Sequence, residues 1–453
     1  MKNFSKKNYL TIYISTVITI CLLSCSTGVK KDYEKVPFIG STFVYKKILK
    51  NGLKIVVIED DSSPTFAYQT WFSVGSRDEK EKYTGLAHLF EHMMFKGTKN
   101  TKEGEFDKIL ESNGAEGENA FTSRDYTAYV QEMPKDKLEL IAKLESDRMV
   151  NLVVNEKSFS TEREVVQNER RFRNENSPDG LMYQEIFGLS YKSHSYRWPV
   201  IGYEEDLARM SAKDAEEFYV KNYSPERATV VVVGDVSHKD VFKVIEKYYG
   251  SLKNNNTSPL TPPKEPKQIS YKQKIMKLNI QVQKLMMSYH VPEITHEDAP
   301  ALYLLRSILS SGKSSRLYRK LVDSGIASSI GVYDGDDKDP SLMIFFANLQ
   351  KGKKASQAES VILSEIQSIQ KNGVSEKELE RAKNALKFEF YEGVSEPDGK
   401  ARFLGHYETV TQDFRNGLKI VNKIDQLTNA QIQSVVKKYF YPDNRSTIYG
   451  VSK

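Results

Sequence analysis

A five-residue stretch of the chain carries two histidines and a glutamate in the pattern H-x-x-E-H, at His88, Glu91 and His92. Residues four apart on a helix lie on the same face, so the two imidazoles can bind one metal ion together. Glu91 lies beside that face, where its carboxylate can accept a proton from a metal-bound water. The pattern is the inverse of the commoner H-E-x-x-H and indicates a zinc hydrolase. The alternative is a surface helix with two solvated histidines, and it is disfavoured because a chain with only seven histidines rarely forms this pattern by chance.

A third ligand is expected, because a catalytic zinc ion usually takes three protein ligands and keeps one position for water. The other five histidines lack ligand spacing, so a carboxylate is the better candidate. The helix predicted at 161–173 carries Glu162, Glu164 and Glu169. Seven residues make nearly two turns, so Glu162 and Glu169 share one face and Glu164 points elsewhere. These residues alone do not decide between Glu162 and Glu169, and an ordinary solvated helix face is the alternative.

The first 25 residues have the features of an export signal. Three lysines precede an apolar stretch at 10–23, which has the length of a signal-peptide core and is short for a membrane span. The run that ends at Cys25 resembles a bacterial lipobox, so Cys25 is expected to carry lipid after removal of 1–24. An uncleaved N-terminal anchor is the alternative. Both interpretations place the protein outside the cytoplasm, on the periplasmic side of the cell envelope, and Ser26 favours the outer membrane.

Composition and charge exclude several functional classes. The chain is 39% hydrophobic and 28% charged, which is typical of a soluble globular protein. Its net charge of +6 falls to +3 when the three lysines of the predicted signal are removed. A charge this small, without a basic stripe that contains aromatic residues, argues against nucleic-acid binding. Both cysteines, Cys21 and Cys25, lie in the export segment, so a cysteine nucleophile is excluded.

The length of 453 residues predicts two domains. A polar, proline-rich stretch at 253–270 predicts a linker between a domain at 43–252 and a domain at 271–453, and residues 25–42 are predicted to link the anchor to the first domain. Both halves contain strands and helices, which indicates the α+β class.

Local patterns give the predicted elements. Asn51-Gly52 predicts a hairpin, the β-branched run at 228–235 a buried central strand, and Thr161 with Glu164 a capping box. The predicted strands are 45–49, 53–59, 66–74, 228–235, 281–289, 330–333, 341–348 and 446–451. The predicted helices are 84–97, 103–112, 135–150, 161–173, 239–249, 299–310, 314–324, 355–371, 376–391 and 429–439.

Taken together, these residues resemble the inverzincin peptidases that include pitrilysin, insulin-degrading enzyme and the mitochondrial processing peptidase. That family has H-x-x-E-H followed by a glutamate about 75 residues later, and 76 residues separate His92 from Glu169. The resemblance implies that Glu169 is the third zinc ligand and that Glu162 is a second catalytic acid, which orients a histidine ligand. Further similarity lies in the runs 75–79, 117–127, 194–199 and 233–235.

The resemblance also implies a fold and an activity. Each half would be an α/β-sandwich domain of the pitrilysin type, and the two together would form half of a clamshell. An extended peptide would add as a strand to a sheet edge, with Asn119, Ala120 and Phe121 at the substrate backbone. The expected function is that of a zinc-dependent endopeptidase acting on peptides or small unfolded polypeptides.

One departure from the family pattern concerns an arginine and a tyrosine in the second domain, which reach across to the substrate carbonyl in self-sufficient members. In this chain Leu321 or Val322 stands in place of the arginine, and Ser328 in place of the tyrosine. Losing these donors removes stabilisation of the developing oxyanion. The nearby residues that could replace the pair are Arg316, Arg319 and Tyr333.

The missing pair predicts that the chain is the zinc-bearing subunit of a homodimer or heterodimer. A same-family partner would then supply the arginine and the tyrosine. The alternative is a non-catalytic assembly protein or peptide-binding protein of the same fold, and the intact H-x-x-E-H argues against it.

Overall fold

The computed structural model describes residues 32–453. The predicted signal peptide at 1–24, the lipidation site at Cys25 and the first part of the predicted linker at 25–42 lie outside the described residues. The linker prediction is wrong for Glu34–Pro37, which forms strand β1 because its backbone pairs antiparallel with the strand that begins at Phe43. In the described part of the chain, none of the helices combines the length and the apolar character needed to cross a bilayer.

Seven strands of the first half form one mixed sheet. The β-branched run is β7 (Ala228–Gly234), which is buried throughout and lies between β3 (Lys54–Glu59), parallel to it, and β4 (Thr65–Phe72), antiparallel to it. The hairpin turn at Gly52, with a φ of 86°, joins β2 to β3 as predicted. The other strands are β2 (Phe43–Ile48), β5 (Glu116–Thr122) and β6 (Thr127–Pro134), and the order is β1-β2-β3-β7-β4-β6-β5. β5 is therefore an edge strand.

Helices of the first half bury an apolar core against one face of this sheet. Leu89 and Phe90, from the motif helix, are fully buried in that core together with Tyr68 and Phe72 of β4. The helices of this half are α1 (Leu86–Met93), α2 (Glu105–Ser112), α3 (Leu138–Asn151), α4 (Glu156–Arg170), α5 (Pro178–Ser190), α6 (Glu204–Arg209), α7 (Ala212–Asn222) and α8 (His238–Tyr249).

The second half repeats the combination of a sheet and helices with five strands. They are β8 (Lys272–Leu278), β9 (Lys284–Val291), β10 (Ala327–Tyr333), β11 (Ser341–Leu349) and β12 (Arg445–Ser452), in the order β10-β11-β9-β12-β8. Its helices are α9 (Ala299–Ser310), α10 (Ala355–Asn372), α11 (Glu376–Gly393), α12 (Pro397–Thr411), α13 (Arg415–Gln426) and α14 (Asn429–Tyr439). Residues 252–269, which include most of the predicted interdomain linker, form neither helix nor strand.

The two halves exchange helices across their sheets. Helix α12 lies against β4 and β7 of the first sheet, where Ala401 and Leu404 share a core with Trp71. Helix α5 lies against the second sheet, where Met182 and Ile186 are buried among its strand residues. Each half thus covers the second face of the other's sheet, and the sequence boundary at 253–270 separates the sheets without separating their cores.

Two local predictions differ from the structure, and some helices lack a prediction. The capping box at Thr161 and Glu164 is wrong, because α4 begins earlier, at an N-cap Asn155 whose side chain accepts the N–H of Ser158. The helix predicted at 314–324 is reduced to residues 316–322, which include a π-helical turn. The predicted helices do not include α5, α6, α7, α12 and α13. For α5 and α12 the reason is that their apolar faces pack on sheets from the opposite half of the chain.

Candidate metal centre

Helix α1 begins at a fixed point because the backbone before it is held on two sides. Gly85 has a φ of 91°, and a Cβ there would lie 2.5 Å from the carbonyl oxygen of Ile201, so only glycine fits. The buried carboxylate of Glu79 accepts the N–H of Gly85 at 3.0 Å and that of Ala87 at 2.8 Å. An acid at this position satisfies amide groups that the helix leaves free and interacts favourably with the helix dipole. The direction in which the α1 side chains project is thereby fixed.

Three potential ligands converge between α1 and α4. The Oε2 atom of Glu169 lies 3.4 Å from Nε2 of His92 and 3.8 Å from Nε2 of His88. The three ligand atoms lie within 4.8 Å of one another, and no other such group of three occurs among residues 32–453. Of the two glutamates that the helix spacing left open, Glu169 is the one that faces both Nε2 atoms.

Glu162 binds the opposite side of one imidazole. Its Oε2 lies 3.3 Å from Nδ1 of His92, and its Oε1 lies 2.6 Å from Nζ of Lys96. Burial alone would raise the pKa of Glu162, but hydrogen bonds from His92 and Lys96 outweigh it and hold the pKa below its usual value. A carboxylate in this position fixes the tautomer and ring orientation of a ligand histidine, so that the Nε2 lone pair points to the metal position.

The two imidazoles differ in their readiness to bind a metal. Burial and the neighbouring His92 lower the pKa of His88 to about 4, so His88 is neutral at pH 7. Burial also disfavours the charged form of His92, but hydrogen bonds with Glu162 and Glu169 outweigh it and raise the pKa of His92 to about 9. A ligand nitrogen must be deprotonated, so a metal ion has to displace one proton at His92.

Glu91 lies beside the three ligands and is held by strand β5. Its Oε2 accepts a hydrogen bond of 2.5 Å from Oγ1 of Thr122, the last residue of that strand. Burial raises the pKa of Glu91, and the hydrogen bond from Thr122 opposes the rise only in part. A raised pKa brings a carboxylate closer to the range in which it both takes and returns a proton near neutral pH.

The donor set fits a zinc ion. Two imidazole nitrogens and one carboxylate oxygen are a recurring ligand set of catalytic zinc, and they leave one position free. A purely oxygen-based site would instead suit magnesium or calcium. The described residues that would hold the ion are His88, His92 and Glu169.

Strand β5 borders this group with the residues predicted to contact substrate. Asn119 and Ala120 line a cavity that also contains Glu91 and His92. The side chain of Asn119 accepts the N–H of Ala120 at 2.8 Å. Phe121 does not line that cavity, since its ring packs on Trp71 with the centroids 5.5 Å apart. The structure therefore brings two of the three predicted residues to the site.

Sequence reasoning missed several residues that contact the group. Lys96 follows His92 by four residues, and Arg173 follows Glu169 by four, with its Nη1 2.8 Å from Oε1 of Glu169. Helical spacing is the signal by which both could have been found. Thr122 lies two residues after Ala120 on the same strand, so the alternation of β5 could have indicated it.

The residues considered as replacements for the missing Arg/Tyr pair do not border the group. Arg316 forms ion pairs with Glu378 at 2.7 Å and with Glu365 at 3.6 Å, which gives it a structural role. Arg319 is exposed. Neither these arginines nor Tyr333 lines the two cavities next to the three ligands.

Comparison with known proteins places these observations in a family. A family profile described as insulinase (peptidase family M16) matches residues 54–188, and one described as peptidase M16 inactive domain matches residues 209–386. A zinc protease called PqqE from Helicobacter pylori is 31% identical over 454 residues, which covers 99% of each chain. The chain belongs to the M16 peptidase family. An uncharacterised zinc protease, YmxG, from Bacillus subtilis is 24% identical and covers 87% of this chain and 95% of its own length.

Solved structures show the same fold. The crystal structure of a protease from Helicobacter pylori has a TM-score of 0.86 and 32% identity, and the match covers 90% of this chain and 98% of that one. A peptidase M16 inactive domain from Pseudomonas fluorescens has a TM-score of 0.82 at 16% identity, with the same coverage. The predicted family and the predicted two-domain α+β fold are confirmed.

The raised pKa of His92 generates a prediction about metal binding. Zinc binding is expected to release about one proton per ion at neutral pH, because His92 is protonated below about pH 9 and must lose that proton. The apparent affinity should therefore rise with pH until about pH 9. Calorimetry in two buffers of different ionisation enthalpy measures the released proton. Equal binding enthalpies in the two buffers would contradict the prediction.

The different positions of the two glutamates generate a second prediction. Glu169→Gln should nearly abolish zinc retention, whereas Glu162→Gln should weaken zinc affinity by about 10–100-fold, as is typical when the partner of a ligand histidine is lost. Metal content after dialysis, measured by mass spectrometry, tests both. Glu164→Gln, on the same helix but exposed, is the matched control. Full zinc in Glu169→Gln with loss in Glu162→Gln would exchange the two roles.

Proposed function

We propose that this protein is a zinc-dependent endopeptidase that hydrolyses peptides or small unfolded polypeptides. The observation that carries the proposal is the convergence of His88, His92 and Glu169, with Glu91 held next to them by Thr122. Relatives named zinc proteases support both the ion and the class of reaction.

The chemistry divides between the ion and the protein. Zinc would lower the pKa of a water and polarise the scissile carbonyl. Glu91 accepts the proton of the attacking water and returns it to the amine of the leaving fragment. Thr122 orients that carboxylate, and Glu162 holds His92 in the tautomer that a ligand needs.

The free edge of β5 is the proposed binding position for the substrate. This strand pairs only with β6 among the described strands, so its outer backbone groups are available to an added strand. An extended peptide that pairs there gains affinity from main-chain hydrogen bonds, which tolerate many sequences. Asn119 must release the N–H of Ala120 if that group is to bind the substrate backbone.

The alternative of a non-catalytic protein of the same fold does not account for Glu91. A buried carboxylate with a raised pKa reduces stability, and its hydrogen bond to Thr122 offsets only part of that cost. Groups of this kind concentrate at catalytic sites. The position of Glu91 beside three metal ligands therefore supports catalysis over assembly or simple peptide capture.

Two further parts of the proposal concern the partner and the location. Neither Leu321 nor Val322 has a side-chain donor, and the hydroxyl of Ser328 donates to the carbonyl of Asn348, so a second same-family subunit is proposed to supply the missing pair. Lipid attachment at Cys25 is proposed to hold the protein on the periplasmic side of the cell envelope. Cys25→Ala should release the protein from the membrane fraction, and unchanged fractionation would refute the anchor.

The test of the function is cleavage of a quenched fluorescent peptide library. Wild-type protein loaded with zinc and supplied with the proposed partner subunit should cleave, and Glu91→Gln in the same assembly should reduce the rate at least about 100-fold while leaving zinc content unchanged, because only the proton transfer is removed. Mass spectrometry of the products identifies the cleaved bonds. Substantial activity in Glu91→Gln would refute the role of this residue.

The same assay tests the partner. If the wild-type chain is inactive alone and active when a second family member is co-purified with it, the divided-site proposal is supported. Full activity of the chain as a monomer would show that the missing pair is replaced from within or is not needed.

A further inference from the structure

A cavity of about 250 Å³ lies on the His88 side of the metal group. Its wall includes His88 and Thr122 of the site, so any group that fills it lies next to the scissile bond of the proposed reaction. The other wall carries cationic and aromatic side chains from the turn after β5, from the π-helical turn after α4, from α5 and from the segment between α5 and α6. The residues that matter for its chemistry are Arg124, Arg173, Tyr183, Phe187 and Trp198.

Arg124 is buried in the wall of this cavity without an ion-pair partner. Only 7% of its surface is exposed, and its guanidinium lies over the ring of Phe187 at 3.8 Å. Nη2 donates to the hydroxyl of Tyr183 at 3.3 Å, while Nε is buried and has no hydrogen-bond partner. None of the carboxylates in residues 32–453 lies within 4.0 Å of an Arg124 nitrogen. Burial opposes the charged form, but Tyr183, Asp337 and Tyr333 together outweigh burial and raise the pKa of Arg124, so it is charged, and Asp337 itself accepts a hydrogen bond from Ser341.

A comparison with Arg77 shows that the fold pairs a buried guanidinium elsewhere. Arg77 is 8% exposed, yet its nitrogens lie 2.5 Å from Asp339, 3.3 Å from Asp125 and 3.6 Å from Asp78. Arg124 has no such direct carboxylate partner, and its one side-chain hydrogen bond goes to Tyr183. The lack of a carboxylate next to the buried Arg124 is explained if a ligand brings one.

The second cavity next to the metal group has the opposite character. It contains His92 and is lined by Asp107, Glu118 and Glu162, and its one lysine, Lys96, is paired with Glu162 at 2.6 Å. A ligand carboxylate would be repelled there. A bound peptide thus meets a basic wall on the His88 side of the metal group and an acidic wall on the His92 side.

We infer that the cavity beside His88 is a subsite for a carboxylate of the peptide substrate and that Arg124 is its specificity-determining residue. The inference rests on the proposed peptidase function and names a substrate class for it. The planar fork of the guanidinium matches a carboxylate, and the hydroxyl of Tyr183 adds a second donor. Phe187 and Trp198 exclude water, which strengthens the ion pair. The carboxylate belongs either to an Asp or Glu side chain beside the scissile bond or to the C-terminus of the peptide.

The experiment compares matched peptides in the full-length, zinc-loaded protein. One set places a single Glu or Gln at each of three positions on either side of the cleaved bond, with an amidated C-terminus. The second set is neutral and has either a free or an amidated C-terminus. The ratio of kcat/KM within each pair is measured for cleavage, and the ratio of Kd is measured in the Glu91→Gln background.

The wild-type protein is expected to favour the carboxylate peptide at one position by at least about tenfold, the range of a hydrogen bond to a charged group. In Arg124→Gln the ratio should fall to about one, and in Tyr183→Phe it should fall in part. Arg415→Gln, a half-exposed residue paired with Asp413 in the second half, should leave it unchanged. The ratio is internal to each protein, so it remains informative if Arg124→Gln is less stable, and Tyr183→Phe tests the same subsite with a smaller change.

Preference for an internal Glu assigns the subsite to a side chain, and preference for a free C-terminus assigns it to the terminal carboxylate. Equal ratios in the wild-type protein would overturn the inference, as would a Glu preference that survives in Arg124→Gln. A uniform loss for all peptides would also overturn it and would assign Arg124 a structural or oxyanion role. Discrimination in binding without any cleavage, with the proposed partner subunit present, would support the subsite and refute the proposed function.

Discussion

The packing of α4 against α1 is the constraint on which the metal group depends. Leu89 and Phe90 pack α1 against the first sheet. The opposite face of α1, which carries His88 and His92, therefore faces α4. On α4 the buried positions Phe159, Glu162, Val166 and Arg170 follow helical spacing along the side that meets α1, and the half-buried Glu169 lies next to this stripe. The two carboxylates therefore reach the imidazoles as part of the interface between the helices, and the geometry of the site is set by apolar packing.

The sequence could predict the parts of this arrangement that depend on local spacing. The shared face of His88 and His92 follows from helical geometry, as does that of Glu162 and Glu169. The choice between the two glutamates could not follow, because it depends on which carboxylate meets Nε2 and which meets Nδ1 across an interface. The capping box at Thr161 was wrong for a related reason: Asn155, six residues earlier, is also a good N-cap, and tertiary packing decides between them. Helices α5 and α12 were missed because each packs on a sheet distant in sequence.

The exchange of helices makes the second half part of the site although it carries none of the proposed ligands. Helix α5 carries Tyr183 and Phe187 to the cavity beside His88, and the same helix is held in place by the second sheet. The backbone N–H of Lys338, in the loop before β11, donates to Asp125 in the turn that follows β5. That turn begins just after Thr122, which holds Glu91. The second half of the chain thus contacts the turn next to the residue that holds the proton acceptor.

The charges around the metal group explain why the site suits a divalent cation. Glu91, Glu162 and Glu169 lie close together, and the basic residues that contact them are His92, Lys96 and Arg173. Lys96 pairs with Glu162 on the side of His92 that faces away from the metal position. Its charge therefore stabilises the carboxylate that orients His92, while Glu169 faces the metal position. A divalent ion that replaces the proton of His92 adds one net positive charge between Glu91 and Glu169, where like charges otherwise oppose each other. In the absence of the ion, burial and the like charge of Glu169 raise the pKa of Glu91, although the hydrogen bond from Thr122 opposes the rise. A carboxylate of this kind can return the proton that it takes.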